Sequence, residues 1–327
     1  MVCSLALDRD DEFFAAAGVS KRIRIYDEER GALSFPLLDL HSRSRLSCVV
    51  WNGYVKSQLA SADYEGVVQL WDVNTGADIM QYEEHTKRAW SVDFSLADPS
   101  RLASGSDDGT VRLWSIHQES SVAVMETHHN VCSVAFSPEA GHLLAAGSVN
   151  HKIHLFDIRK PSAPLAVAPG HSKAVSYVKF MPGGRLVSAS TDGTLRVWSA
   201  PGLAAAGAAG GGEAAYGAAC EAVLRGHANE RNFVGLTASD DGYVVCGSET
   251  NEVVCYHRAL PPPVARHSFY GRRRAGGGGG AGGGGARGGG GPGGEDAHFV
   301  SAVCWSRRHG TLLAGNSAGH IKVLQLI

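Results

Sequence analysis

The 327-residue sequence predicts an all-β fold, a β-propeller of seven four-stranded blades. Three observations carry that expectation. First, LASADYEGVVQLWDV (59–73), LASGSDDGTVRLWSI (102–116) and LVSASTDGTLRVWSA (186–200) nearly superpose, and LAAGSVNHKIHLFDI (144–158) follows the same pattern. Each reads as strand, tight turn, and a second strand ending in an aromatic residue, with Gly or a small polar residue in the turn. Second, an alternating apolar stretch precedes each hairpin: CVVW (48–51), WSVDF (90–94), VCSVAF (131–136) and VSYVKF (175–180). Third, the unit repeats with the 40–45-residue period of a four-stranded blade.

Three more divergent units complete the count. They are VCSLAL with IRIYD (2–27), NFVGL with VVCYH (232–257), and FVSAVCW with IKVLQL (299–326). The third-strand anchors Tyr26, Trp71, Trp114, Phe156, Trp198, Tyr256 and Leu324 are spaced by 45, 43, 42, 42, 58 and 68 residues. The last two gaps exceed 42 by 16 and 26, the lengths of two Ala/Gly-rich inserts at 201–216 and 271–296. These inserts hold half of the 42 glycines. Placed in the loops after blades five and six and poor in apolar residues, both are expected to be flexible coil. Residues 1–327 then form a single domain of WD-repeat (WD40) type. The last blade is expected to lack its closing strand, because the inner strand of blade one starts at Val2 and the third strand of blade seven ends the chain. An exposed edge is a liability, so the chain is expected to be part of a longer protein.

Composition narrows the function. Lys plus Arg 30 against Asp plus Glu 32 gives a net charge of −2, which offers no bulk attraction to nucleic acid or anionic membrane. The three Arg at 272–274 lack interleaved aromatics and are weak evidence for RNA contact. Seven Cys without a C-x-x-C pair read as reduced thiols of a nuclear or cytoplasmic protein, with no metal or other cofactor expected. Cys3, Cys48, Cys132 and Cys304 fall on inner strands, where a small thiol packs as an apolar group.

His85, Ser104, Asp108 and Trp114 in blade three recur in register as His171, Ser188, Asp192 and Trp198 in blade five. A Ser/His/Asp set occurring twice reads as a repeat staple, a buried hydrogen-bonded chain, rather than two active sites. No enzymatic activity is expected.

Several runs are more specific than any repeat pattern. DRDDEFFAAAGVSKRIRIYD (8–27), SADYEGVVQLWD (61–72), YEEHTKRAWSVDFS (82–95), GHSKAVSYVKFM (170–181), NFVGL (232–236) and CGSETNEVVCYH (246–257) resemble the plant suppressor-of-phytochrome-A (SPA) family and its partner, the constitutive photomorphogenic ubiquitin ligase. VVQLWD, KFM and HFVSAVCW (298–305) lean towards the SPA branch. The resemblance implies a docking module in a cullin-RING ubiquitin ligase that uses a damaged-DNA-binding adaptor. Its partners would be light-signalling transcription factors and photoreceptors, bound through an acidic peptide carrying a Val-Pro pair. By local motif, the pocket would comprise Arg45, Tyr64, Arg88, Trp90, His151, Lys173 and Phe233, with Arg45 standing where the ligase relative usually has Lys.

The residue types fit that role, since aromatic walls suit Val-Pro and cations suit flanking carboxylates. Each also has a plainer reading: Trp90 and Phe233 as core, Arg45 and Lys173 as solvated cations. For the adaptor, the resemblance points to Phe156, Asp157 and Arg159 of FDIR in blade four, although Asn150 replaces the usual turn Asp there. The alternative function is a WD-repeat scaffold that recruits no ligase.

Overall fold

The computed structural model describes residues 1–27, 35–269 and 298–325 of the 327. Seven antiparallel sheets form the ring, six of four strands and one, blade seven, of three among the described residues. The inner strands are Val2–Leu7, Leu46–Trp51, Ala89–Phe94, Val131–Phe136, Val175–Met181, Leu236–Ala238 and Val300–Trp305. Each blade pairs its strands in sequence order, so every inner strand starts at the same end of the central channel, here called the upper mouth.

The core lies between blades rather than within them. Ala60, Val68, Leu70 and Tyr82 of blade two, for example, pack on Val92, Phe94, Leu102 and Trp114 of blade three. Close approach of successive blades requires glycine in the second strand. A Cβ on Gly105 would lie 2.5 Å from Val131 Cγ1, and one on Gly247 2.2 Å from the Val300 carbonyl oxygen. The glycine-serine pairs of the repeat are therefore packing residues.

An inner strand has one edge facing the channel, where its amides lack a ladder partner. The preceding blade supplies side-chain acceptors. Ser4 Oγ accepts from Val49 N at 3.1 Å, Ser91 Oγ from Val134 N at 3.1 Å and Ser133 Oγ from Val178 N at 3.2 Å. Asp93 accepts from Phe136 N at 2.8 Å, and Thr237 from Trp305 N at 3.3 Å. Across the ends of the chain, Ser306 Oγ donates to Asp11 at 2.9 Å and Gly315 packs on Val2.

The first insert departs from the coil expected of it. Residues Ala200–Ala208 form α1 and Glu213–Ala218 form α2. They sit inside blade five, between its third strand (Thr194–Ser199) and its outer strand (Cys220–Arg225). Ser199 Oγ caps α1 by accepting from Gly202 N, and Pro201 occupies the first turn. Leu203 is fully buried and Ala206 nearly so, so a few apolar residues suffice in a segment rich in alanine, the strongest helix former. Gly207 passes so close to blade four that a Cβ would meet the Leu165 carbonyl oxygen at 2.1 Å. The second insert, 271–296, lies outside the described residues.

Candidate peptide-docking site

The upper mouth is built by a repeated irregularity. In six blades the inner strand slips register around its second residue, which places a β-bulge at Cys3, Ser47, Trp90, Cys132, Ser176 and Ser301. A bulge re-aims its side chain, and all six residues line one small cavity of about 50 Å³ at the channel entrance. Five of the six are small. Trp90 is the exception, and its indole fills much of the opening.

Around it stand three of the expected residues. The Tyr64 and Trp90 rings lie 5.8 Å apart, and Trp90 meets Phe233 edge-on at 5.2 Å. Tyr64, Trp90 and Phe233 belong to blades two, three and six, so this aromatic row crosses the channel. The Arg88 guanidinium lies over both Tyr64 (4.2 Å) and Trp90 (4.7 Å). Its Nε is buried without a hydrogen-bond partner among the described residues. A cation held on rings and unpaired is prepared to receive a carboxylate.

Arg45 is exposed but close, since its carbonyl accepts from Tyr64 N at 2.9 Å. Burial, with the Cys3 thiol nearby, holds the Tyr64 phenol above its ordinary pKa, while Arg88 and Arg45 pull it down. His151 and Lys173 share the face but not the cluster. His151 sits exposed in the hairpin turn of blade four with φ 70°, and Lys173 is exposed at the entry to blade five. Among the described residues neither makes a ring or cation–π contact with the aromatic row.

One positioning residue escapes sequence reasoning. Asp107 accepts from Trp90 Nε1 and from Asn130 Nδ2, both at 2.8 Å, and so fixes the indole. The available signal was the Asp pair at 107–108, of which the staple uses only the second. Cys3, Cys132 and Tyr177 also line the cavity. Burial pushes the Cys132 thiol up to about 12, so it acts as an apolar wall at neutral pH.

The staples have a fixed direction. Trp114 Nε1 donates to Ser104 Oγ at 2.8 Å, which leaves that hydroxyl to donate to His85 Nε2 at 2.7 Å. His85 Nδ1 then donates to Asp108 at 2.8 Å. Blade five repeats the chain through Trp198, Ser188, His171 and Asp192 at 2.9, 2.8 and 3.0 Å. Burial opposes ionisation of both aspartates, but hydrogen bonds from His85 and Thr110, and from His171 and Thr194, hold them well below the carboxylate range. Ser104 and Ser188 are fully buried with their hydroxyls committed to histidine, so neither can meet a substrate. Blade two keeps only the Trp71–Ser61 bond, and blade four places Asn150 beside His154 at 3.3 Å.

In FDIR, Phe156 is fully buried and Asp157 is forked by Arg159 through Nε at 2.9 Å and Nη2 at 2.6 Å. That guanidinium holds the Asp157 carboxyl at about 2. The Arg159 side chain is 66% exposed, so the fork stands on the surface.

Among known proteins, the WD domain, G-beta repeat family matches residues 76–115, 119–157 and 162–199. Each span runs from one blade's outer strand through the third strand of the next. WD repeat-containing protein RUP2 of Arabidopsis thaliana is 32% identical over 99% of this chain and 87% of its own length. The chain belongs to the WD-repeat family. Within that family the resemblance read from the local motifs extends over the whole chain. Protein SUPPRESSOR OF PHYA-105 1 of Arabidopsis thaliana is 44% identical over 100% of the chain and 30% of its own length. E3 ubiquitin-protein ligase COP1 of Pisum sativum is 44% identical over 100% of the chain and 45% of its own length. The chain thus spans less than half of either protein, and what it matches is their WD-repeat region.

Proposed function

We propose that this propeller is the substrate-docking module of a ubiquitin ligase complex in light signalling, and that it carries out no reaction itself. Its ligand is an extended acidic peptide with a Val-Pro anchor, bound across the upper mouth. Val-Pro packs on Tyr64, Trp90 and Phe233, while peptide carboxylates pair with Arg88 and, further out, with Arg45, Lys173 and His151. The single observation that carries this reading is Arg88, a cation stacked on two rings, without an ion pair among the described residues, at a mouth that a third ring closes. The 44% identity to ligase and SPA proteins supports the complex to which such a module belongs. A cullin-RING adaptor contacting Phe156, Asp157 and Arg159, partners among transcription factors and photoreceptors, and a nuclear or cytoplasmic location belong to the same proposal.

Titration of a labelled acidic Val-Pro peptide tests the docking. Trp90→Ala should weaken binding by about 2 kcal/mol or more, the scale of an interface hot spot. Equal binding by parent and variant removes the site.

A second reading, a scaffold that recruits no ligase, is favoured by one feature: Arg159 is already closed on Asp157. Co-purification of a cullin-RING adaptor separates the two. Loss of the adaptor with Arg159→Ala supports the receptor, and failure of the parent chain to retain any adaptor supports the scaffold.

A further inference from the structure

The opposite end of the channel has a different chemistry. The inner strands finish there, and Leu7, Trp51, Phe94, Phe136, Phe180 and Trp305, at or next to their last residues, wall a cavity of about 300 Å³. That volume is at the low end for ligand sites and suits a small molecule. Besides Asp8, its charged lining includes exposed Arg9 and Arg307 and Asp11, which accepts from Ser306 Oγ and Arg308 N. Two opposite charges enter it from the fifth residues of two inner strands, Asp93 in blade three and Lys179 in blade five. One Asp93 oxygen accepts from Phe136 N, and the Lys179 ammonium has no hydrogen bond or ion pair among the described residues. Burial raises the Asp93 pKa and the Lys179 charge lowers it, so the two sense each other without closing into a pair.

A third group points the same way. Asp8 is 3% exposed; its Oδ1 accepts from Glu12 N and Phe13 N, while Oδ2 has no hydrogen bond among the described residues and its ion-pair cation, Lys56, is 3.8 Å away. Opposite charges held apart in an aromatic-walled chamber are costly unless something polar lies between them. An anion alone would satisfy Lys179 and face Asp93 unfavourably; a cation alone would do the reverse. A group carrying both charges on neighbouring atoms answers both.

We propose that the lower mouth binds a free α-amino acid with an apolar side chain. Its carboxylate pairs with Lys179, its ammonium with Asp93, and its side chain lies on the Phe94, Phe136 and Phe180 rings. The site stands apart from the peptide-docking face, from which the channel separates it, and does not depend on that reading.

Calorimetric titration with L-phenylalanine, phenylacetate and phenethylamine tests it. L-phenylalanine should bind the parent chain saturably, with both single-charge analogues at least tenfold weaker. Lys179→Met should erase the preference over phenethylamine. Asp93→Asn, which keeps an acceptor for Phe136 N, should erase the preference over phenylacetate. The analogue series on the parent chain stands by itself should either variant fail to fold. Absence of saturable L-phenylalanine binding overturns the proposal, as does phenylacetate binding as tightly as L-phenylalanine. Unchanged binding of the acidic Val-Pro peptide by Lys179→Met confirms that the two mouths are separate.

Discussion

At the upper mouth a tryptophan stands at a bulge and reaches across the channel to Phe233, leaving about 50 Å³. At the lower mouth the same strands end in aromatic residues that stay at the wall, leaving about 300 Å³. Both ends draw on one set of inner strands, so composition alone does not make the difference. Register does. The slip at the second residue turns that side chain towards the opening, whereas the regular ladder at the other end seats its rings between blades. One mouth is nearly filled by its rings, and the other keeps an open chamber.

That contrast can be broken or sharpened in four ways. The largest expected effect falls on the ring that carries both mouths. Burial lowers His154 and His227 to about 4 from an ordinary 6.5. Between those values the unfolded chain takes up protons that the folded chain refuses, so stability is full above pH 6.5 and declines as pH falls towards 4. The slope is up to about 1.4 kcal/mol per pH unit for each histidine. Urea denaturation at pH 7, 6 and 5 should show this decline, and a flat profile contradicts it. Asp108 and Asp192, held low, add their own loss only as pH falls below about 4.

Next comes charge at the upper mouth alone. Arg88→Glu should weaken an acidic peptide roughly 30-fold, about 2 kcal/mol, in anisotropy titrations. L-phenylalanine binding at the lower mouth should not change; a parallel loss at both mouths would mean that the ring, not the site, was damaged. Asp107→Ala frees the Trp90 indole and should cost about 1 kcal/mol in peptide affinity. Asp107→Asn keeps the acceptor and should restore affinity to within twofold of the parent. The smallest effect is expected for His151→Ala, within about threefold at physiological salt, because the side chain is exposed and outside the cluster. A tenfold loss there would move the peptide path towards blade four.

The ring was legible in the sequence because each blade writes its own period, with Trp71, Trp114, Phe156 and Trp198 nearly evenly spaced. The site was legible only in part. Tyr64, Arg88, Trp90 and Phe233 stand together at the upper mouth, but the Trp90–Phe233 contact joins blades three and six, which no local pattern can foretell. The bulges leave no mark in the alternation of VCSLAL or VCSVAF, and Asp107 hid beside the staple Asp108. The helical insert was misjudged because composition weighs glycine and alanine together. One buried leucine, Leu203, and one Ser–Pro cap were enough to turn alanine into helix.

A double-mutant cycle at the upper mouth tests the central claim most directly. Trp90→Ala in the protein is paired with replacement of Val-Pro by Ala-Ala in an acidic peptide, and affinity is measured for all four combinations. Direct packing of Val-Pro on Trp90 predicts a coupling energy of about 1 kcal/mol or more. Additive losses, with coupling near zero, would place the Val-Pro anchor elsewhere and contradict the account.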